Sequence, residues 1–144
     1  MKKNTKGFTL IELLAVIVVL AIIALIATPI VLNLINDARR GAAEQTANAY
    51  VKALENAVMT EMTKDATNTL CTNYDIADKV ATSKDTDCTI KSVTPSTTGT
   101  SNIKGSLTVS STTGEVSKAT LTVDDKFSNI EYTPAKGAST VTAS

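Results

Sequence analysis

The chain has 144 residues, 14 basic and 14 acidic side chains, and no histidine. This length allows one domain of modest size once any targeting or membrane segment is set aside. Three lysines precede Gly7, so the rest of the chain is mildly acidic, and it has no basic stripe of the kind that binds nucleic acid phosphates. We therefore expect no direct contact with nucleic acid. Without histidine, a convincing cluster of metal ligands or a glycine-rich phosphate loop, the sequence argues against an enzyme, a metal site and a cofactor.

The N-terminal part consists of a short basic segment followed by a long apolar one. Leu13 to Leu32 form an apolar stretch that only Thr28 and Pro29 interrupt. A helix of this length, at about 1.5 Å per residue, crosses a hydrocarbon core about 30 Å thick. The lysines before the stretch predict a cytoplasmic N-terminus and an extracytoplasmic C-terminal part, although two arginines after the stretch weaken the asymmetry.

Glu12 lies at the edge of the apolar stretch, where its carboxylate has to enter hydrocarbon together with its neighbours. A charge at the centre of a membrane helix costs about 2.5–3.5 kcal/mol on insertion scales, so such a residue indicates a functional partner. A cleaved secretory signal does not explain the carboxylate, and Pro29 stands where the small residues of its cleavage site are expected. A simple signal anchor explains the length and the lysines but leaves Glu12 unpaired.

The segment KGFTLIELLAVIVVLAIIALIATP resembles the N-terminus of type IV pilins and of the related pseudopilins. The resemblance rests on Gly7, Phe8, Glu12, the apolar run and Pro29, and nothing similar is recognisable in the C-terminal part. It implies that a prepilin peptidase removes residues 1–7 as a leader, by a cut after Gly7 on the cytoplasmic side. It also implies that Phe8 becomes the methylated N-terminal residue and that Glu12 becomes the fifth residue of the mature chain.

The resemblance also supplies a partner for Glu12. Cleavage creates an α-amino group at Phe8, and in assembled pilins this cation is thought to meet the glutamate of a neighbouring subunit. At about 4 Å in an effective dielectric near 20, the attraction is about 4 kcal/mol, which is similar to the cost of insertion. We therefore expect Glu12 to penalise every register that leaves it unpaired, and to set the stagger of the subunits without adding much net stability.

The helix is expected to continue beyond the apolar stretch. Apolar side chains recur at spacings of three and four and share one face, at Ala47, Tyr50, Val51, Leu54, Val58 and Met62. We predict one helix from about Thr9 to Thr63, in which residues 8–35 form the membrane or filament-core part. Residues 36–64 form an amphipathic part that packs against the chain's own C-terminal domain. Gly41 costs about 1 kcal/mol relative to alanine without ending the helix.

Pro29 is predicted to be a weak point of this helix. It has no amide hydrogen for the carbonyl of Leu25, and its ring disfavours a helical Thr28. The hydroxyl of Thr28 can reach the carbonyl of Ala24, so we expect a kink, without unravelling, in a single chain in the bilayer. In a filament, the resemblance suggests that residues 21–28 extend. A plain kink in both states is the alternative.

Beyond the helix, alternating apolar residues predict β-strands in NIKGSLTVSS and VSKATLTVDD. Gly114 is predicted to form the turn between them, and Val116 is out of phase, which indicates a bulge. A third strand is predicted from Ser128 to Thr133 and another around Thr89 to Val93, while TPSTTGTSN reads as a loop. The predicted fold class is α+β, with the long helix packed on a small antiparallel sheet in an extracytoplasmic domain, residues 65–144.

Cys71 and Cys88 lie between the predicted helix and the predicted sheet, on the extracytoplasmic side. We expect a disulfide, which contributes about 3 kcal/mol in the chain-entropy model, and two free thiols are the alternative. Type IV pilins often place their disulfide near the C-terminus, whereas no cysteine follows Cys88, so an adhesive loop bounded in that way is not expected. Asp124 and Asp125 are candidate calcium ligands, but such a pair at the end of a strand is more typical of a turn.

The function that the resemblance implies is that of a structural subunit. The protein would be a type IV pilin, held in the cell membrane by a single span, processed, and added to a helical homo-oligomer at the cell surface for adhesion, motility or aggregation. A prepilin peptidase, an assembly ATPase and an inner-membrane platform protein are the implied partners. Two alternatives stay open: a pseudopilin of a type II secretion or DNA-uptake pilus, and a membrane-anchored surface domain that binds its target alone.

Overall fold

The computed structural model of the protein describes residues 7–97, 99 and 101–140. The lysines of the expected leader, and the last four residues of the chain, lie outside the described residues. The chain divides into two compact units, residues 1–39 and residues 40–144.

A single α-helix, α1, is found in the described part of the chain and runs from Leu10 to Lys64. Both ends lie one residue from the predicted ends, and the helix continues through Gly41. In the second unit, α1 buries one face, which consists of Ala43, Ala47, Tyr50, Val51, Leu54, Glu55 and Val58. Met62 is only partly buried and packs at the margin of the core. The predicted amphipathic face is therefore confirmed.

The described part of the second unit contains a seven-stranded sheet. The strands are β1 (Asn73–Ala77), β2 (Val80–Thr82), β3 (Ser92–Val93), β4 (Ile103–Val109), β5 (Val116–Val123), β6 (Phe127–Thr133) and β7 (Gly137–Thr140). Their order across the sheet is β3-β2-β1-β4-β5-β6-β7, and neighbouring strands are antiparallel. Side chains alternate between a buried and an exposed face, as in β4 and β5, and the buried face joins that of α1 in one core. The fold is α+β and pilin-like, as predicted.

The predicted bulge in β5 is present. Thr108 pairs with Lys118 and Val109 pairs with Val116, so Ser117 has no residue opposite it. Gly114 lies in the turn before β5 with a φ of 75°. The extra residue explains why Val116 is out of phase with the rest of the strand and yet fully buried.

The predicted strand around Thr89 to Val93 is reduced to the two residues of β3 and to one parallel bridge between Leu70 and Ile90. Three strands were not predicted, namely β1, β2 and β7. The turn between β1 and β2 consists of Asp78 and Lys79 at φ values of 47° and 70°, where Asn-Gly or Asp-Gly is the usual signal. The dipeptide Asp78-Lys79 is therefore not a recognisable turn signal. The three strands are also too short to show much alternation.

Lys79 joins this turn to three other parts of the second unit. Its backbone N–H donates to the carbonyl of Ile103 (3.2 Å), and its own carbonyl accepts the hydroxyl of Tyr50 (3.0 Å). Its ammonium group donates to the carbonyl of Gly99. Burial raises the pKa of the Tyr50 phenol, which keeps that hydroxyl protonated as a donor. The β1–β2 turn is thus fixed to α1 and to β4 by backbone and side-chain bonds.

Cys71 and Cys88 form the expected disulfide, with their Cα atoms 5.1 Å apart. Asp85, inside the loop that the disulfide closes, accepts hydrogen bonds at one carboxylate oxygen. The donors are the backbone N–H of Asn73 (3.0 Å) and both the N–H (3.0 Å) and the hydroxyl (3.1 Å) of Thr72. These bonds, that from Asn73 first, lower the pKa of Asp85. Covalent and polar bonds together order a region with few large apolar side chains.

Candidate processing and assembly site

The residues around the predicted cleavage point precede α1. Gly7, Phe8 and Thr9 are exposed and lie outside the helix, and the Phe8 side chain is 89% accessible. A Cβ atom built on Gly7 would meet none of the described atoms within 4 Å. The chain's own packing therefore gives no reason for a glycine at this position. Any requirement for glycine has to come from a partner that approaches the backbone closely.

Thr9 and Glu12 form a capping box at the start of α1. The backbone N–H and the hydroxyl of Thr9 both donate to Oε2 of Glu12 at 2.9 Å, and the N–H of Glu12 lies 3.3 Å from the hydroxyl oxygen of Thr9. The carbonyl of Thr9 accepts the N–H of Leu13 at 3.2 Å. Thr9 is therefore the N-cap residue and Glu12 the N3 residue. Each satisfies a backbone donor of the other that the helix itself cannot satisfy.

Glu12 was predicted from the sequence, but its local partner Thr9 was not. The signal is present in the sequence, because TLIE fits the capping-box pattern of Ser or Thr followed three residues later by Glu or Gln. A carboxylate in the first turn is also favoured by the positive end of the helix dipole. Both bonds from Thr9 use Oε2, and Oε1 has no partner among the described residues. Oε1 of Glu12 thus stays available for a second partner, such as a cation.

The apolar part of α1 is accessible along its whole length. Every large apolar side chain from Phe8 to Ile35 is exposed. An 18-residue window of α1 has a mean hydropathy of 3.2, and none of it is buried by the rest of the described chain. By length and composition alone, this helix is able to cross a membrane. An exposed apolar surface of this size indicates contact with lipid or with other protein.

Pro29 lies inside α1, and the helix runs through it without interruption. The hydroxyl of Thr28 donates to the carbonyl of Ala24 at 2.6 Å, as expected from the sequence. This bond goes to the carbonyl one residue before that of Leu25, so it does not replace the helical donor that Pro29 removes from Leu25. A kink in the bilayer and an extension in a filament stay predictions.

The Asp124–Asp125 pair forms the turn between β5 and β6. Both residues have a φ of 55°. Oδ1 of Asp124 accepts the backbone N–H of Asn102 at 2.7 Å, and Asp125 pairs with the ammonium group of Lys104 at 3.0 Å. The two carboxylates are thus engaged in stabilising the turn. No group of three or more potential metal-binding side chains is found within the described residues.

Comparison with known families identifies the N-terminal segment. Residues 2–28 match the family model described as the prokaryotic N-terminal methylation motif. Residues 2–28 carry the type IV prepilin signature. The signature includes Gly7, Phe8, Thr9 and Glu12, and it supports a pilin-like or pseudopilin-like protein that is processed as a prepilin. No curated protein and no solved structure matches the chain.

Proposed function

We propose that this protein is a pilin, the structural subunit of a type IV pilus. In the precursor, residues 8–35 anchor the chain in the cell membrane after a leader of residues 1–7. A prepilin peptidase cuts after Gly7, and Phe8 becomes the methylated N-terminal residue. An assembly ATPase and a platform protein then move the subunit into a surface filament. The observation that carries this proposal is the prepilin signature of residues 2–28, which overlaps an apolar helix segment that the rest of the described chain leaves uncovered.

The uncovered apolar surface favours two successive environments. Fully burying a Val, Leu or Ile side chain contributes about 1.5–3 kcal/mol relative to water, and α1 exposes many of them between Leu10 and Ile35. Lipid covers this surface in the precursor. In the filament, the same segments of other subunits replace the lipid, which makes the homo-oligomer the natural end state of the processed chain. This role is structural and needs no catalytic residue in the subunit.

Glu12 supports the filament through the oxygen that the capping box leaves free. Once Gly7 has been removed, the α-amino group of Phe8 in one subunit is a cation near the start of α1. Oε1 of Glu12 in a neighbouring subunit accepts it while Oε2 keeps its bonds to Thr9. A charge-assisted bond of this kind is favourable in apolar surroundings only when both partners meet, so it selects one register.

Mass spectrometry of sheared surface filaments tests the proposal. We expect the filament protein to lack residues 1–7 and to begin with N-methylated Phe8. Gly7→Val should accumulate as uncut precursor, because a branched side chain crowds the backbone at the cut. Gly41→Ala is the matched control and should be processed normally, since a Cβ atom at Gly41 also meets none of the described atoms within 4 Å.

Surface protein that retains residues 1–7 would contradict the proposal and would favour the membrane-anchored binding domain. Processed protein that forms only scarce, short filaments would favour the pseudopilin alternative, which shares the same signature. Abundant filaments composed mainly of this chain are the result expected of a pilin.

A further inference from the structure

The bond that the peptidase is proposed to cut lies two residues before the first residue of α1. Gly7 supplies the carbonyl of this bond and Phe8 its nitrogen, and neither residue is helical in the structure. Cleavage of a peptide bond requires an accessible, extended backbone, whereas a helical carbonyl is engaged by the N–H four residues later. The position at which α1 begins therefore decides whether this bond is available.

One further turn of helix would engage the bond directly. If α1 extended towards the N-terminus, the N–H of Ile11 would bond the carbonyl of Gly7, and the N–H of Glu12 would bond the carbonyl of Phe8. The N–H of Glu12 is already directed to the hydroxyl of Thr9 at 3.3 Å, and the N–H of Thr9 is bonded to Glu12 at 2.9 Å. Because the capping box already satisfies these two N–H groups, extending the helix would gain fewer new hydrogen bonds.

We propose that Thr9 is a positioning residue for prepilin cleavage, because its cap makes α1 begin at Leu10 and leaves the carbonyl of Gly7 free for hydrolysis. In that reaction the Gly7–Phe8 amide bond breaks, water supplies a hydroxyl to the Gly7 carbonyl carbon, and the nitrogen of Phe8 leaves as the new α-amino group. This inference rests on the proposed function. It assigns the hydroxyl of Thr9 to processing and the charge of Glu12 to assembly.

The test measures the initial rate of precursor cleavage in membranes that contain the full-length precursor and a prepilin peptidase. Removing a Thr N-cap costs about 1 kcal/mol, so Thr9→Ala should slow cleavage by up to about fivefold. Thr9→Ser keeps a capping hydroxyl and should be cut at the wild-type rate.

A second substitution separates helix position from direct contact with the enzyme. Proline is favoured at the first helical position and disfavours a helical residue before it, so Leu10→Pro blocks extension of α1 without any cap. Adding Leu10→Pro to Thr9→Ala should restore cleavage. If Thr9→Ser is cut normally but Leu10→Pro gives no rescue, the hydroxyl contacts the peptidase itself and the inference is wrong.

A direct measurement of backbone conformation tests the inference even if the peptidase recognises these variants poorly. Backbone carbon chemical shifts of Gly7 and Phe8 in the detergent-bound precursor should be non-helical in the wild type and should move towards helical values in Thr9→Ala. Unchanged shifts, or wild-type cleavage of Thr9→Ala, would overturn the inference while the pilin proposal stands. A wild-type precursor that the peptidase never cuts would overturn both.

Discussion

Glu55 on α1 accepts the backbone N–H of Val116 at Oε1, with a distance of 3.0 Å. Val116 is the first residue of β5 and lies at the bulge, where the strand pairing shifts by one residue. Glu55 is only 7% exposed, and its other oxygen pairs with the ammonium group of Lys52 at 2.8 Å. A buried carboxylate of the helix thus satisfies a backbone donor at the bulge.

Glu55→Ala should therefore lower the free energy of unfolding by about 1–3 kcal/mol, because the N–H of Val116 is left buried without an acceptor. Glu55→Gln keeps the acceptor and should lose less. Glu61→Ala is the control, since Glu61 forms an exposed pair with Lys64 and should change stability by less than about 1 kcal/mol. Denaturant unfolding of the detergent-solubilised chain measures all three. Equal losses for Glu55→Ala and Glu61→Ala would contradict a structural role for the buried bond.

Asp85 should make the disulfide-closed loop sensitive to acid. Its pKa is lowered in the folded protein, so the folded state binds fewer protons than the unfolded state as the pH falls. The stability that Asp85 contributes is present above about pH 4, the unfolded pKa, and is lost as the pH falls through the lower folded pKa. Asp85→Asn should flatten the dependence of the unfolding midpoint on pH in this window.

Asp87→Asn is the matched control for Asp85→Asn. Asp87 lies in the same loop, and its carboxylate accepts a hydrogen bond from the hydroxyl of Thr86 at 3.1 Å. The unfolding midpoint of this variant should follow the wild-type dependence on pH. If both variants flattened the curve equally, the acid sensitivity would belong to the charge of the loop as a whole and not to the bonds that Asp85 accepts from Thr72 and Asn73.

Gly105→Ala should prevent correct pairing of β4 with β5. Gly105 has a φ of 145°, and a Cβ atom there would overlap the backbone oxygen of Thr120, which cannot move without breaking the sheet. Gly41→Ala, in the open interior of α1, should instead raise stability by about 1 kcal/mol. Proteolytic resistance of the two variants distinguishes the outcomes. A Gly105→Ala chain as resistant as the wild type would show that the strands can separate enough to admit a methyl group.

Much of the fold followed from periodicity in the sequence. The spacing of Tyr50, Leu54 and Val58 predicted the buried face of α1, and alternation predicted β4 and β5 because each has one face in the core. Periodicity gave no information on β1, β2 and β7, because strands of three to five residues have little alternation to detect. The bulge in β5 was predicted only because Val116 is out of phase with the other apolar residues of the strand.

The candidate site divides in the same way. Gly7 and Phe8 were predicted from the resemblance to the N-terminus of type IV pilins, and Glu12 from the cost of its carboxylate in hydrocarbon; their roles in processing and assembly stay predictions. The bond between Thr9 and Glu12 was also predictable, because TLIE fits the capping-box pattern. It was missed because the cost of a carboxylate in hydrocarbon suggested a partner in another chain. Elsewhere in the fold, the hydrogen bond from the N–H of Val116 to Glu55 depends on where the bulge lies against α1. A single sequence does not contain that information in a readable form.

The charge of Glu12 should be required for assembly and not for the cap. Glu12→Gln retains an acceptor for Thr9 but offers no charge to the α-amino group of Phe8 in a neighbouring subunit. We expect both Glu12→Gln and Glu12→Val to be inserted and processed, and both to yield far fewer filaments than the wild type as the sole subunit. Filament yield is measured by quantifying the sheared fraction against total processed protein. A wild-type yield from Glu12→Gln would show that the neutral acceptor suffices to set the register.

Pro29 should determine how far the filament can extend. In the single chain, α1 is continuous through Pro29, and the hydroxyl of Thr28 bonds the carbonyl of Ala24 at 2.6 Å without reaching that of Leu25. The carbonyl of Leu25 has no helical donor because proline lacks an N–H, so the helix is weakest in the turn before Pro29. In a filament, neighbouring subunits surround this segment, and extension of residues 21–28 would lengthen each subunit, since a helical residue rises about 1.5 Å and an extended one about 3.3 Å.

Pro29→Ala restores the missing N–H and should give stiffer filaments with shorter extension under force. Thr28→Val is the matched control, because it keeps the proline and the unpaired carbonyl of Leu25, and its extension should stay close to that of the wild type. Single-filament pulling measures the extension, and electron microscopy of wild-type filaments reports whether the helix is continuous through residues 21–28. Identical extension of wild type and Pro29→Ala, together with an unbroken wild-type helix, would leave a plain kink as the role of Pro29.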